Sequence, residues 1–222
     1  MIEKELKYLL TEDEYYRLLK FLKKIGHSID MKILENYYFD TKNFDLLNSG
    51  VSLRLRSING KSWEFTYKCK VRGKEYSERK DSLLINEELN NEIKEEEAMK
   101  LINHKKSIWD LKYSYLKKLK KELPANNNIL DKIKMIGHMQ VSRLPIKFKP
   151  YNIPLEIDKI FYGDEKKEFE LESETKQLQL SESVITKIFS RLNIEKKPAL
   201  YPKIIRLLIN KGYREKINLN WT

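Results

Sequence analysis

Five short segments of this chain alternate apolar and charged residues, and that alternation limits the fold more than any other feature. Residues 63–71 put Trp63, Phe65, Tyr67, Cys69 and Val71 on one side and Glu64, Thr66, Lys68 and Lys70 on the other. Residues 51–56 set Arg54 and Arg56 against Val51, Leu53 and Leu55. The opening stretch lines up Glu3, Glu5 and Lys7; residues 155–158 line up Glu156 and Asp158; residues 168–172 line up Glu168, Glu170 and Glu172. A period of two is the period of a β-strand, so each segment has one apolar and one charged face. In an ordinary antiparallel sheet the charged face looks at water. Two features argue otherwise here. The rows are almost entirely Arg, Lys and Glu, and their signs are segregated. Three carboxylates in one row repel one another, a cost that facing basic rows or a bound cation would relieve. A closed or nearly closed sheet with charged rows inward meets this need, with the apolar faces outward under helices. Its interior would be a wet, charged tunnel. Carboxylates there suit a hard divalent cation, and Arg and Lys suit phosphate oxygens.

The rest of the chain fits one domain over residues 1–222 with a helical insertion over about 86–135. A hydrophobic content of 41% supports an ordinary core, and the formal net charge of +11 points to a polyanionic partner. No run approaches the ~18 apolar residues of a membrane span, and no secretory h-region is visible. The single cysteine, Cys69, excludes an internal disulfide and fits a reducing cytoplasm. Thr11 and Glu14 form a capping box for a helix ending near Gly26. A strand over 33–39 leads through a turn region at 40–50, and Asn59-Gly60 marks a hairpin. A further strand is expected over 76–84. Leu89, Ile93, Met99, Leu101, Leu116 and Leu119 then punctuate helical patterns, with a loop at 125–128. Strands resume at 135–142 with a partner at 146–149, then at 155–161 and 167–174, before helices at 182–192 and 203–211. The class is α+β with a mostly antiparallel sheet. The Lys-rich stretch 112–121 reads as a solvated helix face, which disfavours nucleic acid as a partner. Cys69 reads as packing, and His27, His104 and His138 lack metal-ligand spacing.

In order along the chain, these residues resemble the CYTH domain of the triphosphate tunnel metalloenzymes. The resemblance rests on Glu3-x-Glu5-x-Lys7, residues 37–41 followed by 50–56, Lys68, Glu78, Arg143, Asp158, Glu168-x-Glu170-x-Glu172 and Lys203. It implies a closed antiparallel eight-stranded β-tunnel with helices outside and Mg²⁺ or Mn²⁺ as cofactor. By resemblance Glu3, Glu5, Asp158, Glu170 and Glu172 are metal ligands, with Glu168 as an accessory. Lys7, Arg54, Arg56, Lys68, Arg143 and Lys203 grip the triphosphate, and Glu5, Glu170 and Lys68 carry the chemistry.

The implied function is metal-dependent hydrolysis of a small triphosphate, foremost tripolyphosphate to diphosphate plus phosphate. The alternatives are a class IV-type adenylyl cyclase, a thiamine or nucleoside triphosphatase, and a non-catalytic binder of polyphosphate or nucleotide. The acidic rows argue against pure anion binding, which needs no carboxylates. A cyclase needs an adenine pocket that no sequence feature demands. No membrane partner is expected, and the sequence does not set the oligomeric state.

Overall fold

The computed structural model describes residues 2–70, 83–122, 132–163 and 166–218. Its strands are β1 (Ile2–Leu10), β2 (Lys32–Asp40), β3 (Val51–Ile58), β4 (Ser62–Lys70), β5 (Leu83–Ile93), β6 (Lys134–Phe148), β7 (Ile153–Phe161), β8 (Lys167–Glu174) and the two-residue β9 (Lys197–Pro198). The helices are α1 (Glu12–Lys24), α2 (Asp45–Asn48), α3 (Glu95–Ile102), α4 (Ser114–Glu122), α5 (Leu178–Leu192) and α6 (Lys203–Asn210). Antiparallel pairing runs β5-β4-β3-β2-β6-β7-β8-β1, and β1 pairs back onto β5 through Glu3↔Asn86. Eight strands therefore close into a barrel, and β9 adds to β1. Closure leaves the main strands no long unpaired edge.

The alternation seen in the sequence sets which face goes where. Outward-facing Leu6, Tyr8, Leu155, Ile157 and Leu171 form one core with Leu18 and Leu22 of α1 and Ile185 and Phe189 of α5. Outward-facing Leu53, Leu55, Trp63, Phe65 and Tyr67 form a second core with α3, α4 and the short 3-10 turn Ile108–Asp110. Local signals fix the connections. Thr11 and Glu14 make the reciprocal capping box at the start of α1. Asn59 and Gly60 both adopt positive φ, the requirement of a tight type I′ hairpin turn between β3 and β4. Asp40 accepts hydrogen bonds from the backbone N–H groups of Thr41, Leu46 and Leu47, which caps α2 and pins the β2–β3 connection.

Three expectations need correction. Residues 86–93 are strand, so the helical stretch starts at Glu95. Leu89 and Ile93 are four apart, a spacing shared by one helix face and one strand face. Their partners Asn86, Glu88 and Asn90 alternate with them across β5 and decide for the strand. Residues 135–149 are not two strands: β6 runs unbroken through Pro145. β2 begins at Lys32, opposite Arg143, so Pro145 has a strand neighbour only in β7, an edge position that proline tolerates. The tunnel is not charged throughout. Leu34, Tyr38, Met139, Val141 and Ile160 share the inward face and pack against Ile204, Ile205, Leu207 and Leu208 of α6, which fills one end of the barrel. The strand expected over 76–82, Glu78 and the loop at 125–128 lie outside the described residues.

Gly137 sits on that inward face, and a Cβ there would come 2.8 Å from Leu207 Cδ2. Gly137→Ala should therefore overpack the seat of α6 and cost about 1–3 kcal/mol in urea unfolding. An unchanged unfolding midpoint would show that α6 yields freely at this point.

Candidate functional site

The half of the barrel that α6 leaves open holds a cavity of about 270 Å³. Of the residues expected at the site, all but Asp158, Glu170 and the accessory Glu168 line it. Its walls follow from strand register. On β1 and β8, Lys7 pairs with Glu172 and Glu5 with Glu174; on β3 and β4, Arg54 pairs with Thr66 and Ser52 with Lys68. Acidic and basic rows thus face each other across the lumen.

The acidic wall is layered. Glu172 faces the cavity and meets Lys203 at 2.5 Å, Lys7 at 2.6 Å and Arg143 at 2.7 Å. Asp158 lies behind it, fully buried. It takes a two-pronged hydrogen bond from Arg143 (2.8 and 2.6 Å) and meets Lys203 at 3.0 Å. Glu170, also fully buried, bonds Lys203 at 2.9 Å through one oxygen and Arg206 through the other. Glu168 is off the cavity, bonded to Arg206 and to the Tyr162 hydroxyl. Buried charge is costly unless paired and hydrogen-bonded, and here each buried carboxylate has a cation beside it.

On the basic wall, Arg54 donates to Thr66, Thr66 to Asn90, and Asn90 to Glu88. Arg56 donates to Asn36 at 2.8 Å and lies 3.4 Å from Glu64. Lys68 lies 2.5 Å from Glu3 and 3.2 Å from Glu88. Glu64, Glu88, Glu156, Glu174 and Arg206 belong to this network without having been singled out as site residues. Glu64 and Glu156 stood in rows already visible. Glu88 was hidden by the four-residue spacing of Leu89 and Ile93. Arg206 had no signal, because its neighbours in α6 are apolar.

The electrostatics follow from burial and neighbours. Burial, and then the charge of Glu5, push the Glu3 carboxyl up to about 8 against the pull of Lys68. Burial, with Arg54 and Arg143 nearby, lowers Arg56 to about 10. Burial opposes the charged form of Lys7, but Glu172 and Glu5 hold it well above the usual lysine range. Burial likewise opposes ionised Glu172, but Lys203, Lys7 and Arg143 hold it well below the usual carboxylate range.

Do these residues fit a divalent cation? Among the described residues, acids are interleaved with ammonium and guanidinium groups and are not gathered into a cage of three or more ligands. Yet Glu3 Oε2 and Glu5 Oε2 are buried and accept no directed hydrogen bond, although Lys68 and Lys7 lie at ion-pair distance. Buried carboxylate oxygens beside a lumen, held by ion-pair contacts to lysine, are acceptors that a hard divalent cation satisfies, so the donor set fits such a cation.

A model of the CYTH domain matches residues 1–200. No curated protein matches the chain. Among solved structures, HpAC1 from Hippeastrum, a candidate adenylyl cyclase described by a dominant triphosphatase activity, superposes with a TM-score of 0.77 at 18% identity, over 95% of this chain and 96% of its own. A candidate adenylate cyclase from Bacillus halodurans gives 0.70 at 23% identity, over 91% and 95%. The PH1819 protein of Pyrococcus horikoshii gives 0.52 at 19%, over 94% and 99%. At these identities the likeness establishes a shared fold. Among the described residues no helix is long and apolar enough to cross a membrane.

The raised Glu3 carboxyl yields a pH prediction. The folded state keeps this proton up to about 8, whereas the unfolded chain loses it near the ordinary value of 4.5. The folded state thus binds more protons between those limits, and stability falls as pH rises through the window. In metal-free buffer, melting curves of the wild type should lose stability from pH 5 to 8 relative to Glu3→Gln, with the difference levelling above that. Parallel pH profiles for the two proteins would refute the assignment.

Proposed function

This chain belongs to the CYTH domain family, and we propose from that premise that it is a metal-dependent triphosphate phosphohydrolase. We infer inorganic triphosphate as its main substrate, cleaved to diphosphate and phosphate. The carrying observation is the charged cavity onto which Lys7, Arg54, Arg56, Lys68, Arg143 and Lys203 all converge. Its volume of about 270 Å³ lies below the ~300–1,000 Å³ usual for drug-sized ligands. Apart from Tyr38, Pro202 and Ile204 its lining is polar or charged, which gives adenine or thiazolium no apolar slot. A compact polyanion matches both the size and the charge.

The proposed metal ligands are Glu3, Glu5 and Glu172 at the cavity surface, with Asp158 and Glu170 behind them. When bound, the cation supplies charge neutralisation on phosphate oxygens and a lowered pKa for water. The protein's own work is positioning and electrostatics, the main demands of phosphoryl transfer. Arg54 and Arg56 present guanidinium forks to phosphate oxygens. Lys68, beside them on the basic wall, and Lys7 and Lys203, on the acidic wall, act as point charges along the chain of phosphates. Substrate oxygens take the place of the carboxylates as contacts of these cations. Glu5, with an oxygen free of directed donors, accepts the proton of the attacking water. Lys68, set between Glu3 and Glu88, stabilises charge on the transferring phosphoryl group.

Cyclisation of ATP is the second reading, carried by the candidate cyclase names among the fold neighbours. It requires an adenine site, for which the lining, among the described residues, offers only Tyr38, Pro202 and Ile204 as non-charged, largely apolar contacts. The proposal includes a cytoplasmic setting, in line with the lone cysteine.

A phosphate-release panel over tripolyphosphate, thiamine triphosphate, ATP and GTP, with Mg²⁺ or Mn²⁺, tests the reading. Release should be greatest with tripolyphosphate, and cyclic AMP should be absent with ATP. Glu5→Gln should abolish release with the fold intact by circular dichroism, and Arg54→Ala should lower kcat/KM by about 10²–10³-fold. Wild-type rates in Glu5→Gln, or cyclic AMP as the main product, would overturn it.

A further inference from the structure

Arg206 is the one buried guanidinium in the described network that does not line the cavity. It is 8% exposed, and each of its nitrogens has a partner. Nε donates to Glu168 at 2.9 Å with the Tyr162 hydroxyl at 3.4 Å, Nη1 donates to the Tyr201 carbonyl at 2.8 Å, and Nη2 donates to Glu170. Tyr162 also donates to Glu168 at 2.7 Å, so the fork is clamped in its plane. Lys203 lies one turn earlier on the same face of α6 and takes the other oxygen of Glu170 at 2.9 Å.

We propose that Arg206 is a positioning residue, which fixes Glu170 from behind so that its other oxygen is held against Lys203, the residue that lines the cavity. A ligating carboxylate works only if it is aimed, and a group outside the ligand shell usually does the aiming. Glu170 has two oxygens and two cations. The one on the cavity side, Lys203, lines the cavity and is shared with Asp158 and Glu172, so a cation or phosphate in the cavity would meet it first. The one behind, Arg206, is bolted to Glu168, Tyr162 and the α6 backbone. Without Arg206, a fully buried Glu170 would have one oxygen unpaired and would face Glu172 with less compensation. The carboxylate would then be free to turn about its stem, and it would no longer hold the same oxygen against Lys203. This role deepens the triphosphatase reading and rests on it for the identity of the reaction. The aiming of Glu170 can be measured without turnover.

The test uses the full chain with Arg206→Lys and Arg206→Met. Lys keeps the buried charge but cannot reach Glu168, Glu170 and the Tyr201 carbonyl together; Met removes the charge and keeps the stem. Folding is checked by circular dichroism, and Mn²⁺ binding is titrated calorimetrically with and without tripolyphosphate. Phosphate release is measured against Mg²⁺ concentration. In a folded variant, Mn²⁺ affinity should fall about 10–100-fold and half-saturating Mg²⁺ should rise to match. At saturating metal, kcat should fall while KM for tripolyphosphate stays near the wild-type value. A purely structural bolt would lower the melting temperature and leave metal affinity unchanged, and that result in either variant overturns the inference. If Arg206→Met does not fold, Arg206→Lys alone decides. If the wild type binds Mn²⁺ but releases no phosphate from any triphosphate, the triphosphatase reading fails and the titrations still judge Arg206. If the wild type binds no Mn²⁺ with or without tripolyphosphate, both fall.

Discussion

The Lys203 ammonium, shared among Asp158, Glu170 and Glu172, is the contact on which the rest of the molecule depends. Three carboxylates on neighbouring strands cannot be buried together without compensation. The compensation comes from a helix some thirty residues further along the chain, so the acidic wall and the end of the barrel are built as one unit. Lys203 and Arg206 lie along the acidic row while Ile204, Ile205, Leu207 and Leu208 fill the apolar end. One short helix thus neutralises charge with one face and excludes water with the other. Repulsion within Glu168, Glu170 and Glu172 is a reason for closure as well as a burden on it.

The barrel itself was legible because alternation needs no context. Leu53 and Leu55 can face only the side opposite Arg54 and Arg56, and each strand with a charged row faced that row inward. The direction of the rows followed from their composition. Strands whose polar faces look at water would carry many Thr, Ser and Gln among the charges, and these rows hold only Ser52 and Thr66. The resemblance of spaced motifs then supplied Arg143 and Lys203, which no row contains.

What was missed had physical reasons. Glu88 lies on a strand whose outward Leu89 and Ile93 satisfy helical spacing equally well. The unbroken course of β6 depends on where β2 begins, a fact about a different segment. The apolar end was invisible because Leu34, Val141 and Ile160 are inward only by virtue of register, and a lone Leu or Val does not announce which side it occupies. Arg206 has meaning only once α6 is docked, since its partners Tyr162, Glu168 and Glu170 lie 36–44 residues away in the chain.

The filled end of the barrel also constrains traffic. Gly137 brings the β6 backbone close to Leu207, and Ile205 and Leu208 are wholly buried beside it. Among the described residues α6 packs across one end of the lumen. On that geometry a polyanion would enter and leave by the other mouth, and a long phosphate polymer would offer its terminus to the charged rows before any interior unit.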